Sequence, residues 1–440
     1  MSSNLAAPTN LSLKLTFPAR EISAMLIVVV ARRCSVETTS GRAGDCMTKI
    51  VGVADGTGNN INSAILTGIA GGTVLSESAT KIVVDASGKT VTLTGTGFGG
   101  FNAQGVPSTG TVTGVSPGDT GHWSGFSISA VALWTIFQNG DVAGFNNALF
   151  GGNDTFISHD TGNTLDTNDN FTGFGGNDLF DMRGASLGAY ATLLGDDGND
   201  TFKFNANFDA ATDTIDGGTG TDTLILNGAY AGLTFKATTM VNVEKVTLAA
   251  GHNYNITMND ANVAAGQTLT VRAQLGAGNS LVFNGAHETD GNFVIIGGNG
   301  NDTITGGLGG DHITPGAGAD TLLYTAVAQS TGPNFDTLTG IDFAADHFDL
   351  NVAVSGIDAE VKGGSLSLAS FNTDLNTAIG KTHLLAGHAV LFAPNAGDEA
   401  GKLFLIVDAN GSAGYQANHD YVFELNGSVH LSSLSTADFI

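Results

Sequence analysis

Short alternating apolar and polar runs recur along most of the chain. Lys81-Ile82-Val83-Val84 and Thr90-Val91-Thr92-Leu93 lie in a Gly/Thr/Ser-rich stretch. Thr223-Leu224-Ile225-Leu226, Lys245-Val246-Thr247-Leu248, Thr268-Leu269-Thr270-Val271 and Ser280-Leu281-Val282-Phe283 repeat the texture further on. Glycine or polar residues bound each run, which predicts short strands. Such spacing fits solenoid coils or a sandwich, and the pattern does not choose between them. Residues 129–149 break the alternation. Ser129 is placed to cap a helix with Val131, Leu133, Trp134 and Phe137 on one side, and Asn139-Gly140 should stop it. Asp141 should cap a second helix carrying Val142, Phe145, Ala148 and Leu149. These helices stand just before the first glycine turn, where they can close the open end of a solenoid.

The strongest pattern is a nine-residue unit written three times without a gap over residues 297–323. Each copy has glycine at positions two and four, aspartate at six and an aliphatic at eight: Gly298, Gly300 and Asp302, then Gly307, Gly309 and Asp311, then Gly316, Gly318 and Asp320. Upstream, Gly218, Gly220 and Asp222 form a full copy. Gly198 with Asp200 and Gly176 with Asp178 belong to copies lacking one glycine, and Asp154 belongs to a half copy. Glycine at these places permits positive φ, so carbonyl oxygens can turn inward. The aspartate adds an anionic oxygen, and position eight points to the core. Two consecutive copies make one flattened coil. Asp302 and Asp320 should therefore share an edge, and Asp311 should lie on the other, needing a neighbour from outside the block. Asp178, Asp200 and Asp222 are 22 residues apart and Asp154 precedes Asp178 by 24, which predicts one turn per longer coil on a single edge.

This unit resembles the calcium-binding nonapeptide of RTX (hemolysin-type) proteins. The resemblance covers roughly residues 147–440 and implies an all-β fold, a parallel β-roll or β-helix with a short helical N-terminal cap and a β-rich C-terminal module. It implies Ca²⁺ as the cofactor, held by the glycine and aspartate positions named above. An all-oxygen cage of six or more ligands suits that hard ion. After the repeats, Asp336, Asp342, Asp346 and Asp349 alternate with Phe335, Leu338, Ile341, Phe343, Phe348 and Leu350. This is similar to the segment that follows the repeats in RTX proteins exported by type I secretion. Leu405–Tyr415 and Asp420–Leu425 look like the strand, turn and strand of the bluetail module of RTX-type surface proteins. Serine stands at 412 where that pattern often has an acid, so Asp408, Asn410 and Asp420 read either as a second calcium turn or as a simple hairpin. Asp438-Phe439-Ile440 resembles the acidic-then-apolar ending of uncleaved type I signals. The expected plan is a doubtful leader over 1–46, a β-rich region over 47–146 with the cap near 129–149, the repeat domain over 147–325 and the secretion module over 326–440.

Charge sharpens this reading. The net charge is −25, and 33 of the 41 acidic residues are Asp. A merely solubilising surface needs no such bias, whereas the shorter carboxylate fits tight turns. The acidic balance argues against nucleic acid, whose phosphates require basic patches. No apolar run reaches the length of a transmembrane helix. The first 46 residues differ from the rest, holding both cysteines and five of the 16 basic residues. Their apolar run Ala24–Ala31 is followed by Arg32-Arg33 with no small-residue cleavage motif. The favoured expectation is translation starting at Met47, with an atypical leader as the alternative.

A like-charge pair at about 4 Å and an effective dielectric near 20 costs roughly 4 kcal/mol. Several stacked carboxylates could therefore outweigh a typical stability of about 5–15 kcal/mol. The repeats should be largely unfolded in calcium-poor cytoplasm, pass a type I exporter as a chain, and fold on Ca²⁺ outside.

An enzyme is not expected. None of the ten histidines forms a His-Glu-x-x-His motif, and His287-Glu288 is followed by Thr289-Asp290-Gly291. Gly-x-Ser-x-Gly occurs at Ser116 and Ser186, without a clear strand-to-helix elbow. The expectation is a secreted, extracellular calcium-binding structural or surface protein of a coat, matrix or biofilm, partnered by calcium, the exporter, and the cell surface or its own copies. The alternative is a secreted hydrolase with an unrecognised active site.

Overall fold

A computed structural model describes residues 27–29, 48–53, 74–86, 89–102, 106–117, 123–159, 168–185 and 190–440. The chain forms two compact units, one of residues 1–207 with 212–222 and the other of residues 208–211 with 223–440. The second is built mostly of parallel solenoid coils and the first combines such coils with an antiparallel meander, so the all-β β-roll expectation holds.

In the first unit, Val74–Glu77, Lys81–Ala86, Lys89–Gly99, Thr109–Pro117 and Trp123–Ser129 form an antiparallel meander. Two helices follow, α1 (Ala130–Asn139) and α2 (Val142–Phe150). The buried side of α1 is Ala130, Leu133, Trp134 and Phe137. Val131, expected on that side, is 46% exposed, because the meander takes up the face one residue earlier. Ser129 stands at the N-cap but makes no side-chain cap bond, whereas Asp141 Oδ1 accepts the Gly144 N–H at 2.8 Å. Gly140 ends α1 in the left-handed region, its N–H directed to the Ile136 and Phe137 carbonyls. In α2, Phe145 is buried and Ala148 half-buried; the Val142 and Leu149 side chains lie outside the described set. Phe150 stacks on Phe174 at 5.8 Å and lies 6.4 Å from Phe156, so the end of α2 covers the first coil.

One face of that solenoid carries Asp154–His159, Leu179–Gly184 and Thr201–Phe204 in parallel. The other carries Asn168–Thr172, Tyr190–Leu194 and Thr214–Asp216. Thr48–Val53 adds a further parallel strand beside Asp154–His159, and Ile27–Val29 runs antiparallel to it. The leader reading of 1–46 otherwise falls outside the described residues. Position eight of successive copies makes the core. Phe156, Phe180 and Phe202 stack face to face, with centroids 4.7 and 4.8 Å apart, and none is exposed. Phe180→Ala should remove the middle ring and cost about 3–5 kcal/mol. Denaturant midpoints of the two proteins under one set of conditions would check this value.

In the second unit, Thr223–Leu226, Lys245–Leu248, Thr268–Ala273, Asn292–Gly298, His312–Gly316 and Asp336–Thr339 run parallel in sequence order. The facing sheet holds Tyr230–Thr234, Tyr254–Thr257, Leu281–Asn284, Thr303–Thr305, Thr321–Tyr324 and His347–Leu350. The stretch 224–296 is therefore coil, not sandwich. The parallel pairing also runs past residue 325 to Leu350, so the coils outlast the glycine signature. Beyond them, Asp420–Asn426 pairs parallel with Asp336–Thr339 and antiparallel with Phe404–Asp408, which pairs antiparallel with His388–Ala393. Helix α3 (Phe371–Ala378) packs Phe371 and Leu375 into a core with Phe392, Phe404, Ile406 and Val422. The chain ends docked on the last coil, with Phe439 stacked on Phe348 at 5.6 Å and the Ile440 N–H donating to the Phe348 carbonyl. Among the described residues, no helix is long and apolar enough to cross a membrane.

Candidate metal centre

The coil period brings aspartates from distant copies into direct register. In the first unit, the Asp178 Oδ1 accepts the Asp154 N–H at 2.6 Å, the Asp200 Oδ1 the Asp178 N–H at 2.7 Å, and the Asp222 Oδ1 the Asp200 N–H at 2.6 Å. In the second, the Asp320 Oδ1 accepts the Asp302 N–H at 2.8 Å and the Asp346 Oδ1 the Asp320 N–H at 3.0 Å. Asp302 Oδ1 in turn takes the Leu281 N–H at 2.7 Å. Each carboxylate thus spends one oxygen stitching its coil to the previous one.

The second oxygen is what distinguishes these turns. Oδ2 of Asp178, Asp200, Asp302 and Asp320 is buried and has no hydrogen-bond partner in the protein. It shares its space with main-chain carbonyls of the glycine turn. A Cβ built on Gly195 would strike Asp200 Oδ2 and the Gly217 carbonyl oxygen, and one on Gly173 would strike Asp178 Oδ2 and the Gly195 carbonyl oxygen. At Gly297 the same conflict involves Asp302 Oδ2 and the Pro315 carbonyl oxygen. Gly173, Gly195 and Gly297 leave no room for a Cβ because oxygens converge there, whereas the third tandem copy carries Pro315 in that place. The turn glycines face carbonyls too: a Cβ on Gly198 would hit the Gly176 carbonyl, on Gly220 that of Gly198, on Gly316 that of Gly298, and on Gly318 that of Gly300. Gly218 meets the carbonyl of Asp196 in the same way, and Gly176 that of Gly152. Gly176, Gly198, Gly218, Gly220, Gly298, Gly316 and Gly318 take positive φ. Gly300, Gly307 and Gly309 do not, but they too press against neighbouring main chain.

Burial makes these acids reluctant to ionise. Desolvation lifts Asp178 to about 9, helped by the charges of Asp154, Asp200 and Asp196. It lifts Asp200 and Asp302 to about 7 and Asp320 to about 6, each raised further by a stacked or adjacent carboxylate. A bound cation would reverse that balance, because positive charge favours the ionised form. The donor set is carboxylate and carbonyl oxygen only, which fits a hard divalent ion such as Ca²⁺ and offers nothing to a thiophilic metal. The residues present therefore fit the ion that the sequence implies.

Asp311 is different. It lies on the opposite edge, beneath Asp336, whose Oδ1 accepts the Asp311 N–H at 2.9 Å. Both oxygens of Asp311 are engaged, Oδ1 by the Phe293 N–H and Oδ2 by the Gly307 N–H, each at 2.7 Å. Asp336 is also fully engaged, its Oδ2 accepting the Tyr324 hydroxyl at 2.6 Å, and burial raises it well above the usual carboxylate range. Asp311, Gly307 and Gly309 thus form a closed, self-satisfied turn. The C-terminal turn closes in the same way. Asp408 Oδ1 accepts N–H groups from Asn410 and Gly411, its Oδ2 accepts that of Gly387, and Asp420 takes those of Ala409 and Gln416. The hairpin alternative needs no group beyond these bonds.

Position five adds a feature that the sequence reading missed. Asn153, half-buried, and the exposed Asn177 and Asn199 form a row in which each Oδ1 accepts an N–H from the next coil, at 2.6 to 2.8 Å. Asn301 does the same toward Ala319 at 3.0 Å. Recurrence of Asn immediately before Asp was the available signal. Ser116 sits within the strand Thr109–Pro117, and Ser186 lies outside the described residues. Neither a protein-family model nor a curated protein matches this chain.

Proposed function

We propose that the chain is a secreted, RTX-type calcium-binding repeat protein that folds on Ca²⁺ outside the cell and serves a structural or surface role. The observation that carries this reading is the row of buried, partnerless Oδ2 atoms set against inward carbonyls at the glycine turns. A buried ionised group without a partner is strongly unfavourable, so the turns call for a cation. In calcium-poor cytoplasm the ionised turns would oppose folding and leave an exportable chain. Outside, binding free energy becomes folding free energy. The type I exporter is the partner this implies during secretion, and the cell surface or further copies afterwards. The non-enzymatic reading rests on the absence of a recognisable catalytic arrangement in the sequence.

Circular dichroism of the full chain at pH 7.5 tests the proposal. EDTA should abolish most of the β signal, and millimolar Ca²⁺ should restore it cooperatively, in the range of about 10⁻⁴–10⁻³ M typical of extracellular modules. A chelated protein with an unchanged spectrum and unchanged melting would refute it.

A further inference from the structure

The turn joining Leu281–Asn284 to Asn292–Gly298 has no glycine-aspartate signature. At the ladder position it places Phe293, whose N–H meets Asp311. Yet it buries a carboxylate completely. Glu288 has no exposed surface, and its Oε1 accepts three main-chain N–H groups, from Thr289, Asp290 and Gly291, at 3.0, 3.0 and 2.7 Å. Oε2 is buried and has no hydrogen-bond partner.

Other turns on this edge solve the same packing problem with a neutral amide. Asn262 accepts the Asn259 N–H at 2.8 Å and donates through Nδ2 to the Lys236 and Met240 carbonyls at 2.9 and 3.0 Å. Gln329 accepts the Thr325 and Ala326 N–H groups at 2.7 and 2.9 Å and donates to the Gly306 carbonyl at 3.3 Å. Glutamate cannot donate when ionised. Its choice here leaves an anionic oxygen where a neutral amide would serve, unless something positive completes it.

Two further carboxylates stand at that place. Asp260, from the preceding coil, is tied to this turn by the Thr289 N–H and hydroxyl, which donate to its Oδ1 at 2.9 and 2.7 Å. Asp290 belongs to the turn itself. One oxygen from each of Asp260, Glu288 and Asp290 lies within 4.8 Å of the others. Among the described residues, none of the three pairs with Lys, Arg or His. Asp260 and Asp290 are exposed, so the cluster opens to solvent, while Glu288 closes its floor.

We propose that Asp260, Glu288 and Asp290 form a further cation site, distinct from the glycine turns and selective for a hard divalent ion such as Ca²⁺. The three carboxylates supply oxygen ligands alone, and water from the open side completes the coordination. The buried Glu288 anion is thereby neutralised, and the ion joins two successive coils where the repeat signature is missing.

The test counts calcium bound per chain, by equilibrium dialysis and native mass spectrometry of the full-length protein. The D260N/D290N double variant changes only exposed positions and should bind one ion fewer than wild type. E288Q should lose the same ion. E288Q should also gain less stability from added Ca²⁺ than wild type does. An unchanged ion count in folded D260N/D290N would overturn the proposal, and that variant decides alone if E288Q fails to fold. The difference reads this site by itself. Were the glycine turns to take no calcium, wild type would still bind one ion and the double variant none.

Discussion

Lowering the pH of the calcium-free protein should refold it. The linkage runs through the stacked acids. In the unfolded chain an aspartate titrates near its ordinary value of about 3.9. In the metal-free fold, Asp178 is held at about 9, Asp200 and Asp302 at about 7, and Asp320 at about 6, chiefly by burial. Between those limits the folded state keeps protons that the unfolded state has released. Stability therefore falls as pH rises from about 4 through the folded values, at up to about 1.4 kcal/mol per pH unit for each such carboxyl. The contribution is complete below the unfolded value and lost above the folded ones. Under the proposed function, protons and calcium are alternative ways to neutralise the same oxygens. In EDTA, melting temperature should rise steeply from pH 8 to pH 5, and the β signal lost at pH 8 should return. In saturating Ca²⁺ the melting temperature should be nearly flat over the same interval, because the ion holds the carboxylates charged. An EDTA sample that melts equally at pH 5 and pH 8 would contradict the assignment of these acids as the coupling groups.

The difference between legible and hidden parts of this site is one of register. Asp178, Asp200 and Asp222 keep a constant spacing because the intervening coils have equal length, so their stacking could be anticipated. Asp302 and Asp320 stack because two nonapeptides fill one coil. The rows continue to Asp346 and Asp336, which lie 26 and 25 residues beyond their partners. There the period changes and the glycines vanish, so nothing local marks either residue as a member of the row. The opposite edge is harder still. The uses of Asn262, Glu288 and Gln329 depend on carbonyls and N–H groups that only the folded coils bring near, and no short motif encodes them. Likewise, the apolar pattern of α1 favours Val131 where the fold buries Ala130, since a helix's apolar face is set by the sheet it meets. Position-one glycines were visible in the repeat, but their role was not. It depends on an Oδ2 and a carbonyl from the next coil reaching the same point.

That last point gives the sharpest mutational contrast. Gly195→Ala should disable its turn, although the backbone at 195 does not require glycine, since its φ is not in the left-handed region. The added methyl would occupy the space shared by Asp200 Oδ2 and the Gly217 carbonyl oxygen. It would displace the oxygens proposed to hold the ion and separate neighbouring coils, on top of an overpacking cost of about 1–3 kcal/mol. Gly251→Ala isolates the opposite variable. Gly251 has a φ of 89° with nothing within 4 Å of its would-be Cβ, so only backbone strain of roughly 1 kcal/mol is at stake. Expected results follow for calcium titrations of the two proteins. Gly251→Ala should fold at nearly the wild-type calcium concentration with a slightly lower melting temperature. Gly195→Ala should bind fewer ions and shift its folding midpoint to several-fold higher calcium. Gly195→Ala with wild-type ion count and midpoint would mean that the converging oxygens at that corner do not hold a metal, and the first unit would have to owe its stability to the Phe156, Phe180 and Phe202 stack and the aspartate N–H ladder alone.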